Sequence, residues 1–237
     1  LPLLARREGL PVFSGKDRLL LHLRGFFGCA CLLFFFYCLQ GLKLGDAEIL
    51  TQLSAFFMCL LSPLFLKAKL GQNVVPRLVM IAAGAAIVLQ VWNFSSFNVF
   101  AIFGILSALF AAAAYVCIGR LTERGGHSQT ELVYYFQVYS MLGGLVLMAG
   151  GQAVWPRGTE WLWIVELAAS ALLGQVSLTW SCTHIHPTIM NFVMYTGILF
   201  HILAGYLLWG EQLSLYSWVG GALIVVGSIL LILRKQG

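Results

Sequence analysis

The sequence predicts an all-α polytopic membrane protein with eight transmembrane helices, and three observations support this fold class. Hydrophobic residues make up 60% of the 237 residues and charged residues only 10%, against roughly 25% charged residues in a soluble domain. The apolar residues form eight runs, most of them near the ~20 residues that cross a bilayer core. The basic residues between the runs fall almost entirely on one side. We label the runs segments A to H, at 24–42, 46–66, 77–92, 98–118, 131–150, 161–183, 187–209 and 215–233.

The distribution of Lys and Arg gives the orientation. If successive loops alternate across the membrane, one side receives twelve basic residues and the other only Lys43 and Arg157. The twelve are Arg6, Arg7, Lys16, Arg18, Arg24, Lys67, Lys69, Arg77, Arg120, Arg124, Arg234 and Lys235. An excess of Lys and Arg marks the cytoplasmic side, so we predict that both termini are cytoplasmic and that residues 1–23 form a cytoplasmic N-terminal segment. The net charge of +5 therefore does not require a nucleic-acid partner.

The chain contains an internal repeat with an offset of 143 residues, which places Ile81 on Ile224 and Gly84 on Gly227. The same offset aligns segments A, B and C with F, G and H. The copies are five helices apart, and because five is odd they have opposite orientations. Inverted repeats are typical of secondary transporters. We expect residues 24–92 to be the remainder of a first repeat and 93–237 to be the second, so that the chain represents helices 3–10 of a ten-helix protein.

Two stretches carry a resemblance to a known family. The run 24–66 (RGFFGCACLLFFFYCLQGLKLGDAEILTQLSAFFMCLLSPLFL) resembles the third and fourth helices of EamA-type members of the drug/metabolite transporter superfamily. The run 209–232 (WGEQLSLYSWVGGALIVVGSILLI) resembles their closing hinge and tenth helix, with Glu211 as the hinge carboxylate. The resemblance implies alternating-access transport of a small organic metabolite. An amino acid or related compound, exported across a bacterial inner membrane, is the first choice.

Polar residues inside apolar helices indicate a binding site, because each costs free energy in lipid and tends to face the bundle interior. Glu48 and Gln52 are spaced i, i+4 on segment B, and Asn191 and Tyr195 have the same spacing on segment G. The repeat offset superposes the two pairs. We therefore predict that they form the polar part of a substrate site in a central cavity between segments A, B, D, F and G. The alternative for Glu48 and Asn191 is that they cap helix N-termini.

Further candidates are aromatic or carry an amide. Tyr37 and Trp180 occupy equivalent positions in the two repeats, and they could stack on a flat or cationic substrate or anchor the helix ends at the membrane interface. Gln175 lies near the middle of segment F, where its amide needs a partner, which could be the substrate.

Two titratable residues are candidates for proton coupling. His201 lies near the middle of segment G, and imidazole titrates in the physiological range; packing against a hydroxyl or carbonyl group is the alternative. Glu166, about a turn and a half into segment F, is either a gate or proton acceptor or a carboxylate that reaches the interface.

No enzyme motif was found in the sequence, and neither a cofactor nor a metal site is predicted. His184 and His186 stand in a short loop that offers too few ligands for a metal ion. The remaining partners are the lipid bilayer and, as an open option, a second copy in a homodimer. The alternatives to metabolite export are a nucleotide-sugar or phosphorylated-metabolite carrier, a flippase for lipid-linked sugars, and a membrane enzyme or scaffold. A phosphate carrier would need a cation within the cavity helices, and none is seen in mid-span.

Overall fold

In the computed structural model, the described residues are 15–66, 75–90, 98–152, 155–184 and 187–233, with side chains described over 15–61, 75–90, 98–150, 155–181, 184 and 196–230. The described part is all-helical, as predicted. Its helices are α1 (Arg18–Leu39), α2 (Leu44–Thr51), α3 (Ser54–Leu66), α4 (Val75–Leu89), α5 (Phe100–Arg124), α6 (Gln129–Leu147), α7 (Glu160–His184), α8 (Pro187–Trp209) and α9 (Leu215–Leu233), with a π-helical turn at Met148–Gln152 after α6.

Eight helical stretches correspond to the eight predicted segments. Five are long and apolar enough to cross a bilayer: Arg18–Leu39, Leu44–Leu61, Phe100–Arg124, Gln129–Gly150 and Glu160–Ser181. Three shorter apolar helices in the described part are Val75–Leu89, Thr196–Trp209 and Leu215–Leu230. These lengths and compositions suit a multi-pass membrane protein.

The chain divides into two compact units, which are described separately. Unit 1 consists of Leu1–Cys29 and Cys117–Ile185, and unit 2 of Ala30–Val116 and His186–Gly237. The core of unit 2 is formed by apolar residues of α2, α4, α5, α8 and α9 and by Leu53 beside α2. Its buried members are Ile49, Leu50, Leu53, Ile81, Ala85, Ala101, Ala108, Ile198 and Ile224.

Unit 1 is held together at one end by a charged cluster. His127 Nε2 lies 3.3 Å from an Asp17 oxygen, and His127 Nδ1 lies 3.0 Å from Glu131 Oε2. Arg124 also contacts the Asp17 carboxylate. The hydrogen bond with His127 and the nearby Arg124 charge hold the pKa of Asp17 below its ordinary value. Ser128 caps α6 by accepting a hydrogen bond from the Glu131 N–H at 3.1 Å.

Segment B differs from its prediction as one continuous helix. The chain is broken into α2 and α3 at Gln52 and Leu53. Around the break the backbone forms i→i+3 hydrogen bonds, from Gln52 N–H to Ile49 O at 3.2 Å and from Leu53 N–H to Leu50 O at 3.0 Å. Such 3₁₀ geometry inside a helix often marks a functional hinge.

The hinge carboxylate Glu211 caps α2 in unit 2. Its Oε2 accepts a hydrogen bond from the Leu44 N–H at 2.9 Å, and the Lys43 ammonium donates to the Gln212 carbonyl oxygen. A carboxylate at a helix N-terminus satisfies an otherwise unpaired donor and interacts favourably with the helix dipole. Glu211 therefore joins the loop before α9 to the start of α2, which agrees with the hinge role that the sequence suggested.

We expect Glu211→Ala to lower the free energy of unfolding by about 1 kcal/mol, because the α2 N-terminus loses its cap. The midpoint of SDS-induced unfolding in mixed micelles measures this change. The matched control is Glu123→Ala: that carboxylate is 60% exposed and lies 3.8 Å from Arg120, and such surface pairs contribute little. Equal midpoints for the two variants would contradict a capping role.

Candidate functional site

Three of the predicted site residues come together in unit 2 around the Glu48 carboxylate. Gln52 Nε2 donates to Glu48 Oε1 at 3.2 Å, and His201 Nε2 lies 3.8 Å from Glu48 Oε2. The Glu48 side chain is 16% exposed and that of His201 37%. The sequence analysis assigned Glu48 to substrate binding and His201 to proton coupling, whereas in the structure the two side chains are neighbours.

The break between α2 and α3 positions this cluster. Gln52 stands at the break and is buried. Its side chain turns back by one helical turn to Glu48, which is the i, i+4 relation expected on a helix. Thr51 Oγ1 donates to the Glu48 carbonyl oxygen at 2.7 Å. A side-chain hydroxyl thus satisfies a backbone carbonyl group next to the interruption. Interrupted helices of this kind form the substrate and ion sites of many secondary transporters.

Close contact between α2 and α8 brings His201 to Glu48. A Cβ on Gly45 would lie 2.9 Å from Ile202 Cγ1 and from Leu213 Cδ1, so these side chains would have to shift to admit a larger residue. Gly197 lies one turn before His201, and a Cβ there would be 3.9 Å from Glu48 Oε1. Small residues allow helices to pack closely in lipid.

The structure does not support the alternative that Glu48 caps its helix. Helix α2 begins at Leu44, so Glu48 is already in the second turn. The Leu44 N–H is bound by Glu211 instead. The Glu48 carboxylate is therefore available for the amide of Gln52 and the imidazole of His201.

The arrangement can hold and exchange a proton. His201 Nδ1 lies 2.8 Å from the Gly197 carbonyl oxygen and must donate to it, because a carbonyl oxygen can only accept. The Nε2 atom therefore faces Glu48 and can either carry a second proton or release it to the carboxylate. A titratable pair beside an amide can bind a polar ligand in one protonation state and release it in the other.

Of the remaining predicted residues of unit 2, Tyr37 has a described side chain and does not join this cluster. Tyr37 packs against Phe103 with the ring centroids 5.7 Å apart, within a group of phenylalanine side chains. The side chains of Asn191 and Tyr195 lie outside the described residues. The predicted symmetric partners of Glu48 and Gln52 therefore stay a prediction.

Three predicted residues lie in unit 1, all on α7. Gln175 Oε1 accepts a hydrogen bond from Arg24 Nη2 at 3.4 Å. The Trp180 ring stacks on the His184 ring at 5.1 Å with an interplanar angle of 7°. Glu166 is exposed. His184 is the last residue of α7, and His186 lies outside the described residues.

Arg24, which the sequence analysis placed at the start of segment A and counted with the basic residues of the cytoplasmic side, lies inside a helix that starts earlier than predicted. Helix α1 begins six residues earlier, at Arg18, and Arg24 is only 3% exposed. Its guanidinium lies over the Phe136 ring, 5.1 Å from the centroid. The glycines at positions 25 and 28 allow α6 to pack closely. They were the signal in the sequence that α1 is already packed against another helix next to Arg24.

Among the described residues, no group of three or more His, Cys, Asp or Glu side chains could hold a metal ion.

Comparison with known proteins identifies the family. A model of the EamA-like transporter family matches residues 99–233, more than half of the chain. The chain belongs to the EamA-like transporter family. This confirms the resemblance noted in the sequence, and it makes the protein an integral multi-pass membrane transporter and not an enzyme.

Individual relatives agree with this assignment. The EamA-like chain is 36% identical to the pseudopaline exporter CntI of Pseudomonas aeruginosa over 235 residues, which are 99% of this chain and 82% of that protein. It is 30% identical to an uncharacterized transporter of Helicobacter pylori over 214 residues, 87% of this chain and 70% of that protein. A crystal structure with 17% sequence identity shares the fold, with a TM-score of 0.65 over 98% of this chain and 82% of that one.

Proposed function

We propose that this EamA-like transporter exports a small organic metabolite by alternating access, with an amino acid or a related compound as the first choice of cargo. It would act in a bacterial inner membrane with both termini in the cytoplasm, as the distribution of Lys and Arg indicates. The pseudopaline exporter, at 36% identity, supports the direction of transport.

One observation carries the proposal: the Glu48, Gln52 and His201 side chains meet at an interrupted helix. A carboxylate with an amide 3.2 Å and an imidazole 3.8 Å from it is costly inside a membrane, and such groups are kept there for function. They supply donors and acceptors for a polar cargo. The carboxylate and the imidazole also supply a proton that can be exchanged for it.

Coupling to protons follows from the same geometry. When protonated, His201 is an ion-pair partner for Glu48. When the pair loses its proton, the carboxylate is left with the Gln52 amide and can bind a cationic group such as the ammonium of an amino acid. Proton and cargo would then compete for Glu48, which is the basis of an antiport cycle.

The experiment is efflux from cells that express the full-length gene, with the medium profiled by mass spectrometry. We expect a small metabolite to accumulate with the wild type. Gln52→Ala should reduce its accumulation about tenfold, because the amide beside Glu48 is lost. The matched control is Gln40→Ala, since Gln40 is exposed in the turn after α1.

Protein abundance is kept equal across the variants. No accumulating compound with the wild type would refute export. Accumulation that is equal in wild type and Gln52→Ala would refute this site while leaving the transporter intact.

A further inference from the structure

One end of α2 in unit 2 is held by two contacts to the chain between α8 and α9. Glu211 Oε2 accepts a hydrogen bond from the Leu44 N–H at 2.9 Å, and the Lys43 ammonium donates to the Gln212 carbonyl oxygen. We call this pair of contacts the clamp. The distribution of basic residues assigns Lys43 to the side opposite the cytoplasm, so the clamp lies at the outer end of unit 2 in the proposed orientation.

Glu211 is fixed to the end of α8 as well as to α2. Its N–H donates to the Gly205 carbonyl oxygen at 3.0 Å, and a Cβ on Gly205 would lie 2.7 Å from Glu211 Oε2. Gly210, with a φ of 65°, ends α8 directly before it. The carboxylate therefore lies against α8 at Gly205 while it binds the first N–H of α2, and a single side chain joins the two helices.

The clamp lies one helical turn from the Glu48–His201 pair on both helices. Leu44 precedes Glu48 by four residues on α2, and Gly205 follows His201 by four residues on α8, which is about 6 Å along each helix axis. The helices that carry the titratable pair are thus joined immediately outside it. Separation of α2 from α8 at the clamp would expose the pair, whose side chains are 3.8 Å apart, to the outer side.

The surroundings of the clamp allow it to open and close. Helix α2 is eight residues long, and the break at Gln52 and Leu53 separates it from α3, so α2 can tilt without moving that helix. Beside the clamp, the Ile202 and Leu213 side chains pack on Gly45 and close this end of the pair with apolar groups. Two hydrogen bonds and a small apolar contact are few enough interactions to break and re-form within a transport cycle.

We propose that the clamp is the outer gate of the transporter: it is closed while the Glu48–His201 pair faces the cytoplasm and opens when the pair is exposed to the outer side. This inference rests on the proposed export by alternating access, and it identifies the contact that has to break before the cargo leaves. Removing the Glu211 carboxylate takes a bond from the closed state only, so it shifts the population toward the outward-open state.

The test measures from which side of the membrane a reporter cysteine beside Glu48 can be reached. The reporter is Gly197→Cys in the full-length protein, because a Cβ there would lie 3.9 Å from Glu48 Oε1, an ordinary contact distance that leaves room for a cysteine. A membrane-impermeant thiol reagent is added to intact cells and, separately, to inverted membrane vesicles. Protein without the reporter gives the background from the six native cysteines.

Two variants open the clamp in different ways. Glu211→Ala removes the carboxylate, whereas Gly205→Ala keeps it but places a methyl group 2.7 Å from Oε2, so that this flexible side chain is displaced from Leu44. In each variant the ratio of the outside to the inside labelling rate is expected to rise about fivefold, the effect of losing one helix cap. Gly119→Ala is the control, since no described residue places an atom within 4 Å of a Cβ at that position.

A ratio that stays at the wild-type value in either variant would overturn the proposal. Labelling that becomes faster to the same extent from both sides leaves the ratio unchanged and would show a loosened structure instead of a gate. A ratio that falls would place the clamp at the cytoplasmic end and refute an outer gate. Labelling needs no cargo, so a failure of the efflux experiment leaves this test intact. Conversely, an unchanged ratio in a protein that still exports its cargo would refute the gate alone.

Discussion

Replacing Glu48 by glutamine is expected to abolish proton-driven export while the protein remains folded. Glutamine keeps the shape of the side chain and can still accept the hydrogen bond from Gln52, which is 3.2 Å long in the wild type. Only the charge beside His201 is lost. A charge-assisted hydrogen bond contributes about 1.5–3 kcal/mol, and its loss corresponds to a decrease in export of about tenfold to a hundredfold.

The measurement separates coupling from binding. In proteoliposomes that contain full-length protein and the cargo found by efflux profiling, wild-type transport should follow an imposed pH gradient. Glu48→Gln should lose that dependence and also most of the exchange of labelled for unlabelled cargo at equal pH, because the group that would bind the cationic part of the cargo is then neutral. His201→Gln should lose the dependence but keep the exchange, because it removes only the other half of the titratable pair.

The control is Glu123→Gln, which neutralises a carboxylate that is 60% exposed. It is expected to behave as wild type. If Glu48→Gln still responds fully to the pH gradient, the proton is carried elsewhere, and Glu166 becomes the next candidate. If Glu48→Gln keeps full exchange while it loses coupling, the carboxylate carries only the proton and does not bind the cargo.

The helical fold could be predicted from the sequence because membrane helices are encoded by composition. A run of about 20 apolar residues has few alternatives in a bilayer, and the described segments are helical as expected. The interruption at Gln52 could not be predicted in this way. The residues around the break are mostly polar (Thr51, Gln52, Leu53 and Ser54), but a hydropathy pattern does not show that the backbone groups freed there find partners such as the Thr51 hydroxyl.

The site could be predicted only in part. Spacing on one helix placed Glu48 and Gln52 on a common face, and the structure confirms their contact. Whether Glu48 and His201 are neighbours depends on how closely α2 packs against α8 at Gly45 and Gly197. The distance between these two helices cannot be read from a single sequence. Segment A was predicted to start at Arg24 because charge was taken as a sign of a helix end, whereas α1 begins at Arg18 and Arg24 is buried within it.

The second large effect is expected at the contact between α4 and α9 in unit 2. A Cβ on Gly84 would lie 2.7 Å from the Gly220 carbonyl oxygen and 2.9 Å from Ile224 Cγ1, and one on Gly227 would lie 2.7 Å from Ile81 Cγ1. The internal repeat superposes Gly84 on Gly227 and Ile81 on Ile224. Each glycine therefore packs against the isoleucine of the other repeat. The contact has the approximate symmetry of a two-fold interface.

Gly84→Val is expected to destabilise the protein by about 3 kcal/mol, at the upper end of overpacking costs, because part of the clash is with backbone that cannot rotate away. Little protein should then elute as a monodisperse peak in fluorescence-detected size-exclusion chromatography. Gly144→Val is the control, since nothing lies within 4 Å of a Cβ on Gly144. A monodisperse Gly84→Val with the melting temperature of the control would show that the helices can move apart at low cost.

The two halves of this symmetric contact should differ in how far a second substitution relieves the destabilisation caused by the first. The clash at Gly227 is chiefly with the Ile81 side chain, so the Gly227→Ala and Ile81→Ala changes should couple favourably by about 1 kcal/mol in a double-mutant cycle. Combining Gly84→Ala with Ile224→Ala should give much less, because the Gly220 carbonyl oxygen remains 2.7 Å from the new Cβ. Equal rescue of both pairs would mean that side chains alone set the spacing of α4 and α9. Unequal rescue would show that the spacing of α4 and α9 is set by the backbones at Gly84 and Gly220, where only glycine permits this approach.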